Sequence, residues 1–329
     1  YRLKSGIFTL SPGFTAHAYN SKNSQFSVDY SDSFFKILPD FNAIIQLKKS
    51  ESIRFNYAMR TQFTDVSKIA QGLVLNNYNS IFSGDNEIQN AISHSFNLNY
   101  FSFNLFNYTN IFARISYNKS IDQIRNLTTF VSVVASSSPF NSPFADENFS
   151  ANGRFQRQFG KIRASLSSGI NFSKFNQYIS DINNPSISEN FSQNYGATVR
   201  TSFREAPNVE LGYNYSLTNN ILGDVESKFY TKAPFIDVDA LISKSFTFRS
   251  RYTNTSFSNE RAVLNEYEFW DASLAYKKDK DSKWEFELKA TNLLNTKSQN
   301  QSNTGNISIS STEYFIQPRF ITFRLVYDL

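Results

Sequence analysis

The sequence predicts an all-β protein, a transmembrane antiparallel β-barrel. Three observations favour this fold class. Apolar and polar residues alternate along most of the chain, short polar turns alternate with longer Ser- and Asn-rich segments, and aromatic rings are abundant in a chain that is polar on average. The chain has 34 Phe, 18 Tyr and 2 Trp, with a mean hydropathy of −0.41. A barrel in a bilayer produces this mixture because an apolar outer band with aromatic girdles surrounds a polar interior.

The composition predicts a single domain over residues 1–329, without a metal or cofactor. Gly and Pro are scarce and no linker divides the 329 residues. The net charge is +5, but Lys and Arg are spread evenly, so no nucleic-acid partner is expected. The chain has no Cys, and His17 and His94 are far apart in sequence. Disulfides, thiolate metal sites and a histidine metal cluster are therefore not expected.

No apolar run approaches the roughly 18 residues of a membrane-spanning helix. This does not argue against a barrel, because alternating faces cancel in a hydropathy average. The chain opens on Tyr1, without an initiator Met or a signal segment, so we expect either a removed signal or a fragment.

Alternation with a period of two residues is clearest near the end of the chain, over residues 283–292 and 321–329, and recurs over 52–60, 161–172 and 207–219. One face is apolar and suits lipid, whereas the other is polar and suits water. The lipid-facing candidates are Trp284, Phe286, Leu288, Phe323, Leu325 and Tyr327. The lumen-facing candidates are Arg54, Arg163, Glu285, Glu287, Lys289 and Arg324.

The connections predict which end of the barrel faces outward. Short turns are expected at 48–52, 102–105, 160–161, 204–208, 243–245 and 278–283, and long loops at 20–33, 65–89, 120–146, 178–187, 219–225, 259–263 and 296–312. In outer-membrane barrels the short turns are periplasmic and the long loops extracellular.

We expect about 14 strands of about 9 to 16 residues each, with the spanning minimum near 9 residues. This even number places Tyr1 and Leu329 at the short-turn end, and Pro12 and Gly13 are expected to interrupt the first strand. The structural alternative is a soluble all-β protein, in which strands are usually shorter.

The final segment, Tyr314-Phe315-Ile316-Gln317-Pro318-Arg319-Phe320 followed by residues 321–329, resembles the closing strand of TonB-dependent receptors of the Bacteroidota type. Thr291-Asn292-Leu293-Leu294-Asn295 is similar to the family's Asn-Leu-aromatic-Asn motif, with Leu294 in place of the aromatic residue. Looser matches upstream are Leu38-Pro39 opening a strand, residues 57–62, residues 83–88 and His94-Ser95-Phe96.

The resemblance implies a 22-stranded barrel with an N-terminal plug, of which this chain is the C-terminal part, without the plug and about eight strands. It implies active ligand uptake driven by the TonB complex through the absent plug. The expected location is the outer membrane, in contact with its lipid. The barrel-assembly machinery, which reads the last strand, and a surface lipoprotein lid are further expected partners. Leu329 departs from the aromatic last residue that this machinery prefers.

The charged residues of the polar face have a chemical and a structural interpretation. Glu285, Glu287 and Lys289 either line a substrate path or form a solvated, mutually paired wall, and the second interpretation is favoured. Asp237 and Asp239 share one strand face, but two carboxylates alone define no reaction.

His94 is expected near the outer rim, on the face opposite Ser93 and Ser95, so no nucleophile is positioned beside it. We therefore predict that the chain is not an enzyme.

Two other functions stay open. The chain either forms a self-contained passive channel of about 14 strands, or it anchors a surface adhesin whose loops 65–89 and 120–146 contact a partner.

Overall fold

The computed structural model describes residues 1–179, 185–204, 207–279, 281–304 and 309–327. Within these ranges the chain forms twenty-one strands and one short helix. The elements are β1 (Leu3–Ser5), β2 (Phe8–Gln25), β3 (Val28–Lys48), β4 (Glu51–Gln62), α1 (Val66–Ile69), β5 (Leu73–Asn77), β6 (Ser80–Ser83), β7 (Ala91–Asn104), β8 (Thr109–Ile121), β9 (Ile124–Val131), β10 (Val134–Asn141), β11 (Asp146–Phe159), β12 (Ile162–Ile179), β13 (Ser186–Thr201), β14 (Asn208–Leu222), β15 (Val225–Leu241), β16 (Phe246–Asn259), β17 (Val263–Lys277), β18 (Trp284–Thr291), β19 (Ser298–Thr304), β20 (Ile309–Phe315) and β21 (Phe320–Tyr327).

Nineteen of these strands form one large sheet, and β19 and β20 form a separate hairpin. Fourteen strands of the large sheet follow one another as antiparallel neighbours, in the order β2-β3-β4-β7-β8, then β11 through β18, and finally β21. The predicted all-β class and the antiparallel arrangement are thus confirmed. Within this fourteen-strand series, strand lengths range from 8 residues in β18 and β21 to 21 in β3, a wider spread than the alternation predicted.

The large sheet is open. No pairing among the described residues joins β21 to β1 or β2, so a row of backbone hydrogen-bonding groups is unpaired at each side of the fourteen-strand series. The short strand β1 covers only the beginning of β2, where Leu3 pairs with Leu10. These two edges are the positions at which further strands can pair.

Pro12 and Gly13 do not interrupt β2, contrary to the prediction. Pro12 pairs with Phe41 of β3, and its carbonyl oxygen accepts a hydrogen bond from the Tyr1 amino terminus at 3.1 Å. In an antiparallel ladder the N–H and C=O groups of one residue point to the same side. The N–H that Pro12 lacks would therefore point away from β3, and its absence costs the β2–β3 ladder nothing.

Two other prolines mark the places where ladders stop. Leu38 and Pro39 do not open a strand as expected but lie inside β3, and pairing of β3 with β4 begins only at Asp40. At Pro234 of β15 the ladder to β16 lacks two residue pairs, between Lys232–Ser256 and Phe235–Thr253, whereas the ladder to β14 is continuous. A residue without an N–H cannot donate to the neighbouring strand, which explains this gap.

The predicted short turns lie at one end of the sheet, although the turn between β7 and β8 covers residues 105–108 rather than 102–105. At the other end the predicted loops are largely strands. Residues 20–33 continue the β2–β3 hairpin up to a turn at Phe26 and Ser27, which have φ angles of 51° and 65°. Residues 65–89 and 120–146 contain α1, β5, β6, β9 and β10. Parts of four predicted connections (180–184, 205–206, 280 and 305–308) and Leu329 lie outside the described residues.

These outer strands form an extension of the large sheet in the order β5-β6-β10-β9-β12, with parallel pairing of β6 to β10 and of β9 to the end of β12. Burial is deepest near its base. Tyr178 is 3% exposed, contacts the edge of Phe140 at 4.7 Å between ring centroids, and shares a hydrogen bond with the buried Ser142 hydroxyl.

Candidate functional site

The strand register sorts the side chains of the fourteen-strand series onto two chemically different faces. One cross-strand row contains Phe248, Leu274, Leu288 and Phe323, contributed by β16, β17, β18 and β21 in turn. The row displaced by one residue contains Arg249, Ser273, Lys289 and Thr322. Because successive side chains of a strand point to opposite faces, these rows lie on opposite sides of the sheet.

All six lipid-facing candidates lie on the apolar face. Register pairs them as Trp284–Tyr327, Phe286–Leu325 and Leu288–Phe323. The rings of Trp284 and Tyr327 are 4.6 Å apart between centroids. Large side chains on this face are solvent-exposed, for example 67% for Phe323, so the face is apolar without being covered by the chain itself.

Four of the lumen-facing candidates form one polar group at the end of the series. Glu285, Glu287 and Lys289 share a face of β18, and Arg324 lies opposite Glu287 on β21. Arg324 Nε is 2.9 Å from Glu287 Oε2. Glu287 is thus paired across the ladder with Arg324, whereas the sequence predicted pairing among Glu285, Glu287 and Lys289.

The remaining two candidates are distant from this group. Arg54 lies between Ile44 of β3 and Asn99 of β7, on the face opposite Ile53 and Phe55. Arg163 lies directly opposite Arg200 of β13, so two like charges are cross-strand neighbours. The six residues share the polar face but do not converge on one site.

An ion-pair ladder, defined here as Arg200, Glu210, Asp237, Asp239, Arg249 and Arg251, crosses the polar face from β13 to β16. Cross-strand ion pairs join Arg200 to Glu210 at 3.5 Å, Asp237 to Arg251 at 3.5 Å and Asp239 to Arg249 at 3.8 Å. The ladder lines an open depression of about 320 Å³ together with Asp271 and Lys289. The ladder contains three Arg and three carboxylates, with the like-charged Glu210 and Asp237 directly opposite each other, so this surface is hydrophilic with little net charge.

The ladder changes the interpretation of Asp237 and Asp239. Each carboxylate faces an Arg of β16 rather than the other carboxylate, so the arrangement is that of two ion pairs and not of an acid and a base sharing a proton. The sequence placed both carboxylates on one face. It gave no signal for Arg249 and Arg251 as their partners, because pairing depends on the register between strands.

The Asn-Leu-Leu-Asn motif forms a turn that joins the last strands. Asn292 is 4% exposed and has a φ of 51°. Its side-chain amide donates to the carbonyl oxygens of Thr296 and Gln317 at 2.8 and 3.1 Å. Asn295 Oδ1 accepts the Arg319 backbone N–H at 3.1 Å, just before β21 begins. The motif therefore fixes the path of the chain between β18 and β21.

The two histidines lie on opposite faces. His94 Nδ1 is 3.0 Å from the Tyr57 hydroxyl on the apolar face, while the neighbouring Ser93 and Ser95 point to the polar face. His17 stacks on Phe63 at 6.3 Å between ring centroids.

Within the described ranges, no group of three or more His, Asp or Glu side chains is arranged to hold a metal ion. In the same ranges, no helix is long and apolar enough to span a membrane.

Neither the scan against models of protein families nor the search of curated proteins found a match for this chain. The likeness of its last two strand segments to the TonB-dependent receptors therefore stays a prediction.

Proposed function

We propose that this chain forms wall strands of a TonB-dependent receptor in a bacterial outer membrane and takes part in ligand uptake. The observation that carries the proposal is the two-faced register of fourteen consecutive strands. One face is apolar and exposed, and the other contains the ion-pair ladder and the Glu287–Arg324 pair.

The exposed apolar face supports contact with lipid. Water-soluble monomers rarely expose contiguous apolar patches of more than a few hundred Å². Here such side chains recur on strand after strand, for example Phe155 on β11, Leu166 on β12, Val199 on β13 and Leu211 on β14. Bilayer hydrocarbon covers such a face, whereas charges on it would cost about 2–4 kcal/mol each at mid-bilayer.

The unpaired edges of the sheet support closure by additional strands. Lipid offers no hydrogen-bonding partner for backbone groups, so a spanning sheet must close on itself. Strands pairing with β21 on one side and with β1 and β2 on the other would complete a larger barrel. The family resemblance suggests 22 strands in all, with a plug domain inside and TonB as its energy source.

The polar face supplies the wall of a water-filled interior in this proposal. The charges of the ion-pair ladder are paired, so this part of the wall is hydrophilic without attracting one sign of ion strongly. The long hairpins would face outward, where they would contact the ligand and a surface lipoprotein. The barrel-assembly machinery would read β21 as the closing strand.

Cysteine labelling tests the membrane contact. The chain has no native Cys, so single cysteines report on one position each. In the full protein reconstituted in vesicles, we expect a fluorophore on Leu288→Cys to be quenched by spin-labelled lipid and one on Lys289→Cys to be quenched by aqueous iodide. Labels at both positions that respond only to iodide would refute a lipid-facing surface.

One observation favours a passive channel as the second candidate function. β2 begins and β21 ends at the short-turn end of the sheet, so the two strands run antiparallel and can pair to close a fourteen-stranded barrel. Cysteine pairs placed on β2 and β21 would cross-link in that barrel. They would not do so in the larger one, where other strands separate them.

A further inference from the structure

A pocket of about 460 Å³ opens at the long-hairpin end of the sheet, between the β2–β3 hairpin and residues 63–90. It shares no residue with the ion-pair ladder or with the Glu287–Arg324 pair. Three rings line it, those of Tyr19, Tyr30 and Phe63, together with the carboxylates of Asp32 and Glu87. The other lining residues are mostly Asn and Ser.

The rings are held in a fixed arrangement. Tyr19 lies between Phe34 and Phe63, with ring centroids 4.7 Å from each. The Asn90 side-chain amide donates to the Tyr19 hydroxyl, and Asn90 Oδ1 in turn accepts the Thr64 backbone N–H at 2.9 Å. Phe63 is 54% exposed, so part of its ring is available to a ligand.

The charge of the pocket is one-sided. Neither Asp32 nor Glu87 forms an ion pair with a described residue, in contrast to the paired carboxylates of the ion-pair ladder. No Lys or Arg lines the pocket. Asp32 lines the same pocket as the Tyr19 ring.

The chain itself places a cation on this ring system. Lys36 Nζ lies 5.5 Å from the centroid of Phe34, the ring that stacks on Tyr19. An ammonium group is attracted to the negative face of an aromatic ring, and quaternary ammonium compounds are recognised by several rings acting together.

We propose that this pocket binds an organic cation, a small compound with a quaternary or primary ammonium group. The cation would lie against Phe63, Tyr19 and Tyr30, with the Asp32 carboxylate as its counter-charge and the amide side chains meeting its polar remainder. A neutral ligand of the same shape would leave both carboxylates uncompensated. This chemistry is the same whether or not the apolar face of the sheet contacts lipid.

Choline is the probe that tests the proposal, because 3,3-dimethylbutan-1-ol has the same shape without the charge. We expect calorimetric titration of the full protein in detergent micelles to show choline binding at least about fivefold tighter than the neutral alcohol. Equal affinity for the two compounds, or no choline binding with retained binding of a neutral sugar such as glucose, would overturn the proposal.

Matched variants locate the site. Asp32→Asn is expected to weaken choline binding about tenfold, and Phe63→Leu about three- to tenfold. Asp29→Asn removes an exposed carboxylate from the same hairpin that does not line the pocket, and it is expected to leave the affinity unchanged. Circular dichroism confirms the fold of each variant. An equal loss in Asp29→Asn and Asp32→Asn would reveal only a general effect of charge. Lipid contact is tested separately by cysteine labelling, so a negative result for choline binding would not contradict the proposed function.

Discussion

The ring of Phe235 on β15 covers Gly212 on β14. The two residues are cross-strand partners on the polar face, and a Cβ atom on Gly212 would lie 2.2 Å from Cε1 and Cζ of Phe235. The Arg251 guanidinium lies 5.4 Å from the centroid of the same ring and also pairs with Asp237. The missing side chain of Gly212 thus makes room for a ring that supports the ion-pair ladder.

Replacing Gly212 by Ala is expected to destabilise the protein by about 1–3 kcal/mol, because the added methyl group displaces Phe235 and with it Arg251. Denaturant unfolding in detergent measures the change. Gly169→Ala is the control, since the nearest atom to its added Cβ lies 4.0 Å away. We expect that variant to be at least as stable as the parent chain, and equal losses in both variants would contradict the explanation.

The Glu287–Arg324 pair is expected to stabilise the junction of β18 and β21. The Glu287 side chain is only 14% exposed, so Arg324→Gln leaves a largely buried carboxylate without its partner. We expect a loss of about 1 kcal/mol. A double-mutant cycle with Glu287→Gln measures the coupling, and Arg319→Gln, on an exposed residue before β21, serves as the control. A coupling energy near zero would show that the pair is only a surface contact.

Restoring the backbone donor at position 234 is expected to repair the β15–β16 ladder. Pro234→Val supplies the missing N–H, and one added hydrogen bond contributes about 1 kcal/mol. Hydrogen exchange should slow in the adjoining part of β16 as the two missing pairs form. Pro12→Val is expected not to slow hydrogen exchange in β3, because the Pro12 backbone points away from β3. Unchanged exchange in the Pro234 variant would mean that the gap has another cause.

The outer tip of the β14–β15 hairpin is expected to become less stable in acid. A hydrogen bond from Asn219, followed by the Lys228 ammonium, lowers the pKa of Glu226 below its ordinary value of 4.5. A carboxylate with a lowered pKa stabilises the fold above its ordinary pKa. That contribution disappears as the pH falls through the lowered value.

An NMR titration of the Glu226 side-chain carbon measures this pKa directly. Asn219→Ala is expected to raise it, since the amide that donates at 2.9 Å is lost. The neighbouring Asn220 bonds to Asn190 instead, so Asn220→Ala is expected to leave the pKa of Glu226 unchanged. Identical titration curves for both variants would contradict the assignment.

The sequence was sufficient to divide the side chains between two faces. Alternation at period two is a local property, and it placed Leu288 and Lys289 on opposite sides without knowledge of any neighbouring strand. The short turns were predictable for the same reason, since their sequence signals are also local. Register was not predictable from alternation, because one strand's pattern does not say which residue lies opposite it. The pairing of Asp237 with Arg251 and the Arg163–Arg200 contact therefore emerged only from the structure.

The outer strands were missed for a different reason. Their Ser- and Asn-rich stretches have the composition of loops, and β6 and β10 pair in parallel although more than fifty residues separate them. No local signal marks such a pairing. The aromatic pocket escaped detection similarly, since Tyr19, Phe63 and Glu87 come from three separate segments.

The order of the fourteen-strand series has a consequence for how the chain reaches its native state. Every successive pairing joins strands adjacent in sequence except β4–β7, β8–β11 and β18–β21. Local hairpins form early because little chain entropy is lost in closing them, and each completed hairpin offers an edge to the next strand. The other three pairings can form only after the segment between the two strands has folded out of the way. Assembly would therefore join three preformed ribbons, β2–β4, β7–β8 and β11–β18, and then the single strand β21, with the slowest steps at these three pairings.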